Sequence, residues 1–188
     1  MPRFEVPDGW VAQAYRFALD PTPAQQRALA AHAGAARLAF NHMLAHVKAV
    51  MDQRAAEKTY DIAEEDLIAA QGWSLPALRR EWNARKHQVA PWWGENSKEA
   101  YNTGLDGLAR ALDAWAKSRS GERGGARVGF PRFKSRSRSR ASVRFTTGTI
   151  RVEPDRHHLT LPRVGRIARD GCLRTKQKLM NRVTVLAR

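Results

Sequence analysis

The residues with the clearest chemical potential form one run, Phe130-Pro-Arg-Phe-Lys-Ser-Arg-Ser-Arg-Ser-Arg140, in which Arg132, Lys134, Arg136, Arg138 and Arg140 occupy every second position. In an extended backbone all five cations leave the chain on one side, about 6.6 to 6.8 Å apart. That is about two base steps along one nucleic-acid strand. Pro131 blocks helix propagation from upstream and the alternating serines disfavour it further, so extension is the expected conformation. Phe130 and Phe133 flank the row and are placed either to anchor it or to stack on bases. The competing reading is a disordered Ser-Arg tract whose charges stay solvated. The two phenylalanines and the strand signal resuming at Ser142 favour a tethered row.

More cations follow on the expected sheet: Arg144, Arg151, Arg163, Arg166, Arg169, Arg174, Lys176, Lys178 and Arg182. From Lys117 to Arg188 there are 20 basic and 4 acidic residues, a net of +16, against 13 basic and 14 acidic residues before them, a net of −1. The whole formal charge of +15 therefore sits in the back of the chain. So dense a charge exceeds what solubility requires, and polyanion binding through counterion release is its simplest use. Neutralising six phosphates would give a log K against log salt slope of about −5. Arginine outnumbers lysine there, which suits forked phosphate contacts and stacking on bases. Charge that serves only unspecific RNA packing, as in ribosomal proteins, is the alternative.

Catalytic constellations are scarce. Glu64, Glu65 and Asp66 are consecutive, so on a helix they diverge and read as a solvated face, not an Mg²⁺ cluster. His157 and His158 fall in an expected turn with Cys172 fourteen residues beyond His158, two ligands short of a metal site. His32, His42 and His46 lie on or beside a helix; the last two are four apart, lack a third ligand, and are expected to face solvent. No Gly-rich phosphate loop with its Lys and no nucleophilic Ser elbow is present. One Cys excludes an internal disulfide or a Cys-rich zinc site within these residues. No apolar run approaches the roughly 20 residues that span a bilayer. Met1 to Trp10 carries Glu5 and Asp8 where a signal peptide needs apolar residues, so a soluble, cytoplasmic and nucleoid-associated protein without membrane contact is expected.

The elements that must position the cations have their own signals. At 188 residues and 43% apolar composition the chain can hold one medium domain or two small ones. Val11 to Leu19 alternates with Tyr15, Phe17 and Leu19 on one face, a strand. Thr22, Pro23 and Gln25 form an N-terminal capping signature for a helix whose stripe runs Leu29, Ala33, Ala36, Phe40, Met43, Val47 and Val50, to about Met51. Gly34 either weakens this helix or divides it in a helix-turn-helix manner. Asp52 to Gly72 is polar, with Ile62, Leu67 and Ile68 as anchors. Ser74 caps a second helix, and Pro91-Trp92-Trp93-Gly94 precedes a third with Tyr101, Leu105, Leu108, Leu112 and Trp115 on one face. Short alternating runs then follow at 143–145, 150–152, 159–161, 164–167 and 183–185, the pattern of a small antiparallel barrel or meander. The first strand is expected to join it. The fold class is α+β: residues 1–22 a leader and first strand, 23–117 a helical lobe, 118–129 a flexible linker, and 130–188 a basic β domain.

Several stretches resemble one family. Tyr15-Arg-Phe-Ala-Leu-Asp-Pro-Thr-Pro-Ala-Gln-Gln26, Gly34-Ala-Ala-Arg-Leu-Ala-Phe-Asn41, Trp73-Ser-Leu-Pro-Ala-Leu78, Val128-Gly-Phe-Pro-Arg-Phe-Lys-Ser135 and Leu159-Thr-Leu-Pro-Arg-Val-Gly-Arg-Ile167 are similar, in order and spacing, to the N-terminal portion of OrfB/TnpB transposon-encoded proteins. The match covers about residues 11 to 167 and fades from Ala168 to Asn181. The resemblance implies an RNA-guided DNA endonuclease family, in which a helical recognition lobe is inserted into an oligonucleotide-binding-like wedge barrel. Its implied partners are a guide RNA and a DNA duplex with a transposon-adjacent motif. The family's RuvC-like acidic triad and zinc ribbon, with their Mg²⁺ and Zn²⁺, are expected beyond Arg188, as in a truncated, frameshifted or cut version. By position, the resemblance assigns motif reading to Asn96, Ser97 and Tyr101. It assigns backbone contact to Arg132, Lys134, Arg136, Arg138 and Arg140 with the strands that follow. The expected role is nucleic-acid holding without a nuclease site. The alternatives are a DNA-binding regulator at transposon ends and the trans-acting half of a nuclease completed by a separately encoded part.

Overall fold

The computed structural model describes residues 18–146, 150–155 and 157–169 in full and the backbone of 182–186. After a two-residue strand β1 (Leu19–Asp20), helix α1 runs from Pro23 to Thr59. Its start is the capping box read from the sequence: Thr22 Oγ1 accepts from the Gln25 N–H and Gln25 Oε1 accepts from the Thr22 N–H. The expected stripe is the buried one, through Ala33, Ala36, Phe40, Met43, Val47 and Val50. Gly34 does not divide the helix, which also continues past Met51 to Thr59. Those last turns pack little; Lys48 with Asp52 and Gln53 with Glu57 support them at i,i+4 spacing. Asp61, with φ 58°, turns the chain away. Of the expected anchors beyond, Leu67 is buried and Ile62 is exposed.

Helix α2 (Leu75–Val89) starts at Ser74, whose Oγ accepts from the Ala77 N–H, and it buries Leu78 and Trp82. Helix α3 (Lys98–Arg119) buries Tyr101, Leu105, Leu108 and Leu112. It crosses α1 at Gly104, where a Cβ would stand 2.0 Å from the Ala36 carbonyl oxygen. Only a hydrogen fits there, so the alanines of α1 and a glycine of α3 set how closely the two backbones approach.

The described strands are β2 (Ser142–Thr146), β3 (Arg151–Val152), β4 (His158–Leu161), β5 (Gly165–Arg169) and β6 (Arg182–Leu186). The first expected strand is described only at its end, and that end pairs as anticipated: Leu19 lies opposite Arg169 and Asp20 opposite Ala168. The four-stranded sheet has the order β1-β5-β4-β3, while β2 and β6 form a separate two-stranded ribbon with Val143 opposite Val185. Among the described residues, then, the expected single barrel or meander is two hydrogen-bonded units. Val164 lies in the turn before β5, not in a strand; Arg163 and Gly165 flank it with φ of 63° and 86°. One core nonetheless joins helices and strands, since Phe145, Leu161 and Ile167 cluster with Phe40, Met43, Leu105 and Leu108.

Candidate nucleic-acid interface

The segment carrying the cation row is strapped across the helices at three points. The Val128 N–H donates to Ser118 Oγ at 2.9 Å. Phe130 packs edge-on against Trp115 with ring centroids 5.0 Å apart, and Trp115 in turn meets Trp73 at 6.1 Å. At Lys134 the Asn41 side chain takes both backbone groups: Oδ1 accepts from the Lys134 N–H at 2.8 Å and Nδ2 donates to its carbonyl at 2.9 Å. A primary amide has one acceptor and one donor side, so it can satisfy an extended residue as a neighbouring strand would. The tethered reading of the row is the observed one. Phe130 is the anchor, whereas Phe133 remains 62% exposed.

The straight comb does not survive past Lys134. Ser135 gathers the following backbone, its carbonyl accepting from the Ser139 N–H and hydroxyl, and its Oγ from the Arg138 N–H. Serine side chains compete for local backbone groups and so favour turns over extension. This turn removes the period-two alternation from Arg136, Arg138 and Arg140, although those three and Arg132 stay exposed. The Lys134 ammonium instead turns back, 3.9 Å over the Phe40 ring. Burial there, and then the Arg110 charge, lower its proton affinity below the usual lysine value.

The cations of the sheet divide into two kinds. Arg144 is half-buried; its guanidinium pairs with Asp106 at 2.9 Å, and its N–H donates to Thr103 Oγ1 at 3.0 Å. It holds β2 to α3 and is not a surface contact. Arg169 is buried. Arg151 is exposed beside Glu153, and Arg163 is exposed in the turn before β5. Arg166 is exposed and pairs with Asp155, which also accepts from the His157 and His158 N–H groups. Chiefly the His157 N–H, with His158 and Arg166, holds the Asp155 carboxyl well below the usual carboxylate range. Arg174, Lys176, Lys178 and Cys172 lie outside the described residues, and only the backbone of Arg182 is described.

Asn96, Ser97 and Tyr101, to which the resemblance gave motif reading, are buried. Tyr101 stacks on Trp82 at 5.3 Å and donates its hydroxyl to the Trp93 carbonyl at 3.1 Å. Burial raises its phenol pKa. Ser97 Oγ accepts from the Glu99 N–H as the α3 cap, while its own N–H donates to Nε2 of buried His32. These polar groups complete the helix start. His42 and His46 do not form the expected solvent-facing pair: both are half-buried against α2, His42 beside Trp82 and His46 near Gln71 and Glu81. No group of three metal-ligating side chains occurs among the described residues.

The sequence comparisons bear on these residues directly. The helix-turn-helix domain family of OrfB/IS605 proteins matches residues 11–55, whose described part is β1 and most of α1. This chain carries an OrfB-type domain. Over 199 aligned positions, covering 100% of this chain, it is 43% identical to "Putative RNA-guided DNA endonuclease MT2953" of Mycobacterium tuberculosis strain CDC 1551 / Oshkosh. It is equally similar to "Putative RNA-guided DNA endonuclease Rv2885c" of strain ATCC 25618 / H37Rv. The chain spans 41% of the length of each. The OrfB-type match thus covers Phe40 and Asn41, the α1 residues on which Lys134 rests. No helix among the described residues is long and apolar enough to cross a membrane.

Asn41, which clamps the strap, and Gly104 and Gly107 of α3 were not singled out from the sequence. Two glycines three apart in the middle of an amphipathic helix cost stability unless something needs the space, and that was the available signal.

Proposed function

We propose that this chain binds nucleic acid through the strapped 128–140 segment and the exposed arginines beside it. In this reading it is the guide-RNA and target-DNA holding part of an OrfB/TnpB-like RNA-guided DNA endonuclease. The observation that carries the proposal is the clamp of Asn41 on Lys134, which fixes a cationic segment against a helical platform before any ligand arrives. A net +16 over residues 117–188 supplies the long-range attraction. The pairing of β1 with β5 supports the reading of residues 23–117 as a helical lobe inserted into a β domain. The duplex with its transposon-adjacent motif and the guide RNA are proposed partners, taken from the resemblance.

The same reading makes the chain a holder and not a cutter. Glu64 is engaged by Arg54 and Lys58, and the neighbouring Glu65 and Asp66 are solvent-exposed. A mobility-shift titration of RNA and DNA across salt tests binding: a log K against log salt slope of several units is expected, and salt-indifferent affinity would reject it. Mg²⁺-dependent cleavage by the purified chain alone would overturn the non-catalytic part. The OrfB-type helix-turn-helix match favours a second reading, a regulator that binds transposon-end DNA without RNA. Footprinting at such an end in the absence of guide separates the two.

A further inference from the structure

Lys134 differs from the other cations of its segment. The residue as a whole is exposed, yet its ammonium lies on Phe40 of α1 and faces Gly107 of α3, where an added Cβ would stand 3.5 Å from Nζ. Among the described residues no carboxylate pairs with it; Asp106, one residue before Gly107, is held by Arg110 and Arg144, each at 2.9 Å. Arg110 is itself mostly exposed and stands three residues after Gly107, on the same face of α3 that the Lys134 ammonium meets; its charge lowers the lysine's proton affinity. Two cations thus converge where one carboxylate is already shared, and the local charge calls for an anion.

Gly107 gives an independent pointer. Gly104 is a glycine because the α1 backbone leaves no room for a side chain. At Gly107 only the Lys134 amine and the Phe40 ring come within 4 Å of a Cβ, at ordinary contact distances, so no backbone demands a glycine. A helix-weakening residue thus stands where a longer side chain would cover the lysine head.

We propose that Lys134 and Arg110 form a phosphate subsite on the Gly107 face of α3, which takes a phosphodiester of the bound nucleic-acid strand. This rests on the nucleic-acid reading above and singles out one contact within it. Asn41 fixes the lysine backbone, the Phe40 ring lies under its ammonium, and the missing side chain at half-buried Gly107 leaves the phosphate room to approach both cations. Lysine acts here as a point charge, and the exposed Arg110 guanidinium supplies the directional donors.

The test uses the full chain with a single-stranded oligonucleotide and, separately, with inorganic phosphate as probes. Lys134→Met and Gly107→Leu should each weaken oligonucleotide binding roughly tenfold at low salt and reduce the salt slope by about one. Lys134→Arg should restore both, and Lys48→Gln, far along α1, should change neither. Acylation of the Lys134 amine, read by peptide mass spectrometry, should be suppressed by the oligonucleotide well below the phosphate concentration that protects it. If wild type binds with a steep salt slope while Lys134→Met and Gly107→Leu match it and acylation is unaffected, the subsite is wrong and the broader reading stands. Protection by inorganic phosphate as good as by the strand would overturn the phosphodiester assignment. A wild-type chain that binds no oligonucleotide would remove both.

Discussion

The side-chain amide of Asn41 brackets the backbone of Lys134 from ninety-three residues away, accepting its N–H at 2.8 Å and donating to its carbonyl at 2.9 Å. Neither group of Lys134 depends on a neighbouring strand, so a stretch without regular structure is held as firmly as an edge strand at one point. Asn41→Ala removes both bonds, and at roughly 1 kcal/mol each the strap should loosen by about 2 kcal/mol. Hydrogen exchange should quicken around residues 130–135 while amides of the α1–α3 core keep their protection. Uniform loss of protection would show that Asn41 supports the whole fold instead.

Gly104 and Gly107, three apart on α3, are expected to respond in opposite directions. Gly104→Ala drives a methyl group to 2.0 Å from the Ala36 carbonyl oxygen, and separating two packed helices should cost about 3 kcal/mol. Gly107→Ala meets nothing closer than 3.5 Å and gains helix propensity, so stability should rise by up to about 1 kcal/mol. Urea unfolding of the two variants decides it. Equal effects would refute the asymmetric packing.

His32 ties stability to pH. Its Nδ1 faces the Ala28 carbonyl at 2.7 Å and its Nε2 accepts the Ser97 N–H at 3.1 Å, an arrangement that requires the neutral ring with its proton on Nδ1. Burial lowers its pKa below the usual 6.5. The unfolded chain therefore takes up the proton first as pH falls, and stability fully present above about 6.5 declines from there down through the folded-state value. His42, also lowered, chiefly by burial and then by Arg85 and His46, acts with the same sign. Urea midpoints at pH 8 and pH 5 should differ more for wild type than for His32→Leu. The variant should also lose about 1 to 3 kcal/mol at pH 8, because the buried Ser97 N–H is left without its acceptor.

These devices show how far a sequence exposes its fold. The capping box at Thr22, the stripe of α1 and the Tyr101 to Leu112 face of α3 were legible because periodicity and local caps are short-range properties. The pairing of β1 with β5 followed from one stray strand needing an edge. The bend at Ser135 was hidden, since alternation of Ser and Arg fits an extended chain until the serine hydroxyls are allowed to compete for backbone groups. Which cations are internal was hidden too. Arg144 and Arg163 look alike in sequence, and only the placement of Asp106 on α3 separates them.

That separation makes the last prediction. Arg132, Arg136 and Arg138 are exposed on or beside the clamped strap, so replacing each by Gln should leave stability within about 0.5 kcal/mol and reduce the nucleic-acid salt slope by about one apiece. Arg144→Gln should do the reverse. It breaks a mostly buried pair with Asp106 and weakens the attachment of β2 to α3, at about 2 kcal/mol, while the slope stays near the wild-type value. Salt titrations and urea unfolding on the same four variants place each cation on one side or the other. Losses of affinity that track stability, with one common slope, would mean that the strap's charge never meets phosphate and that its binding role is wrong.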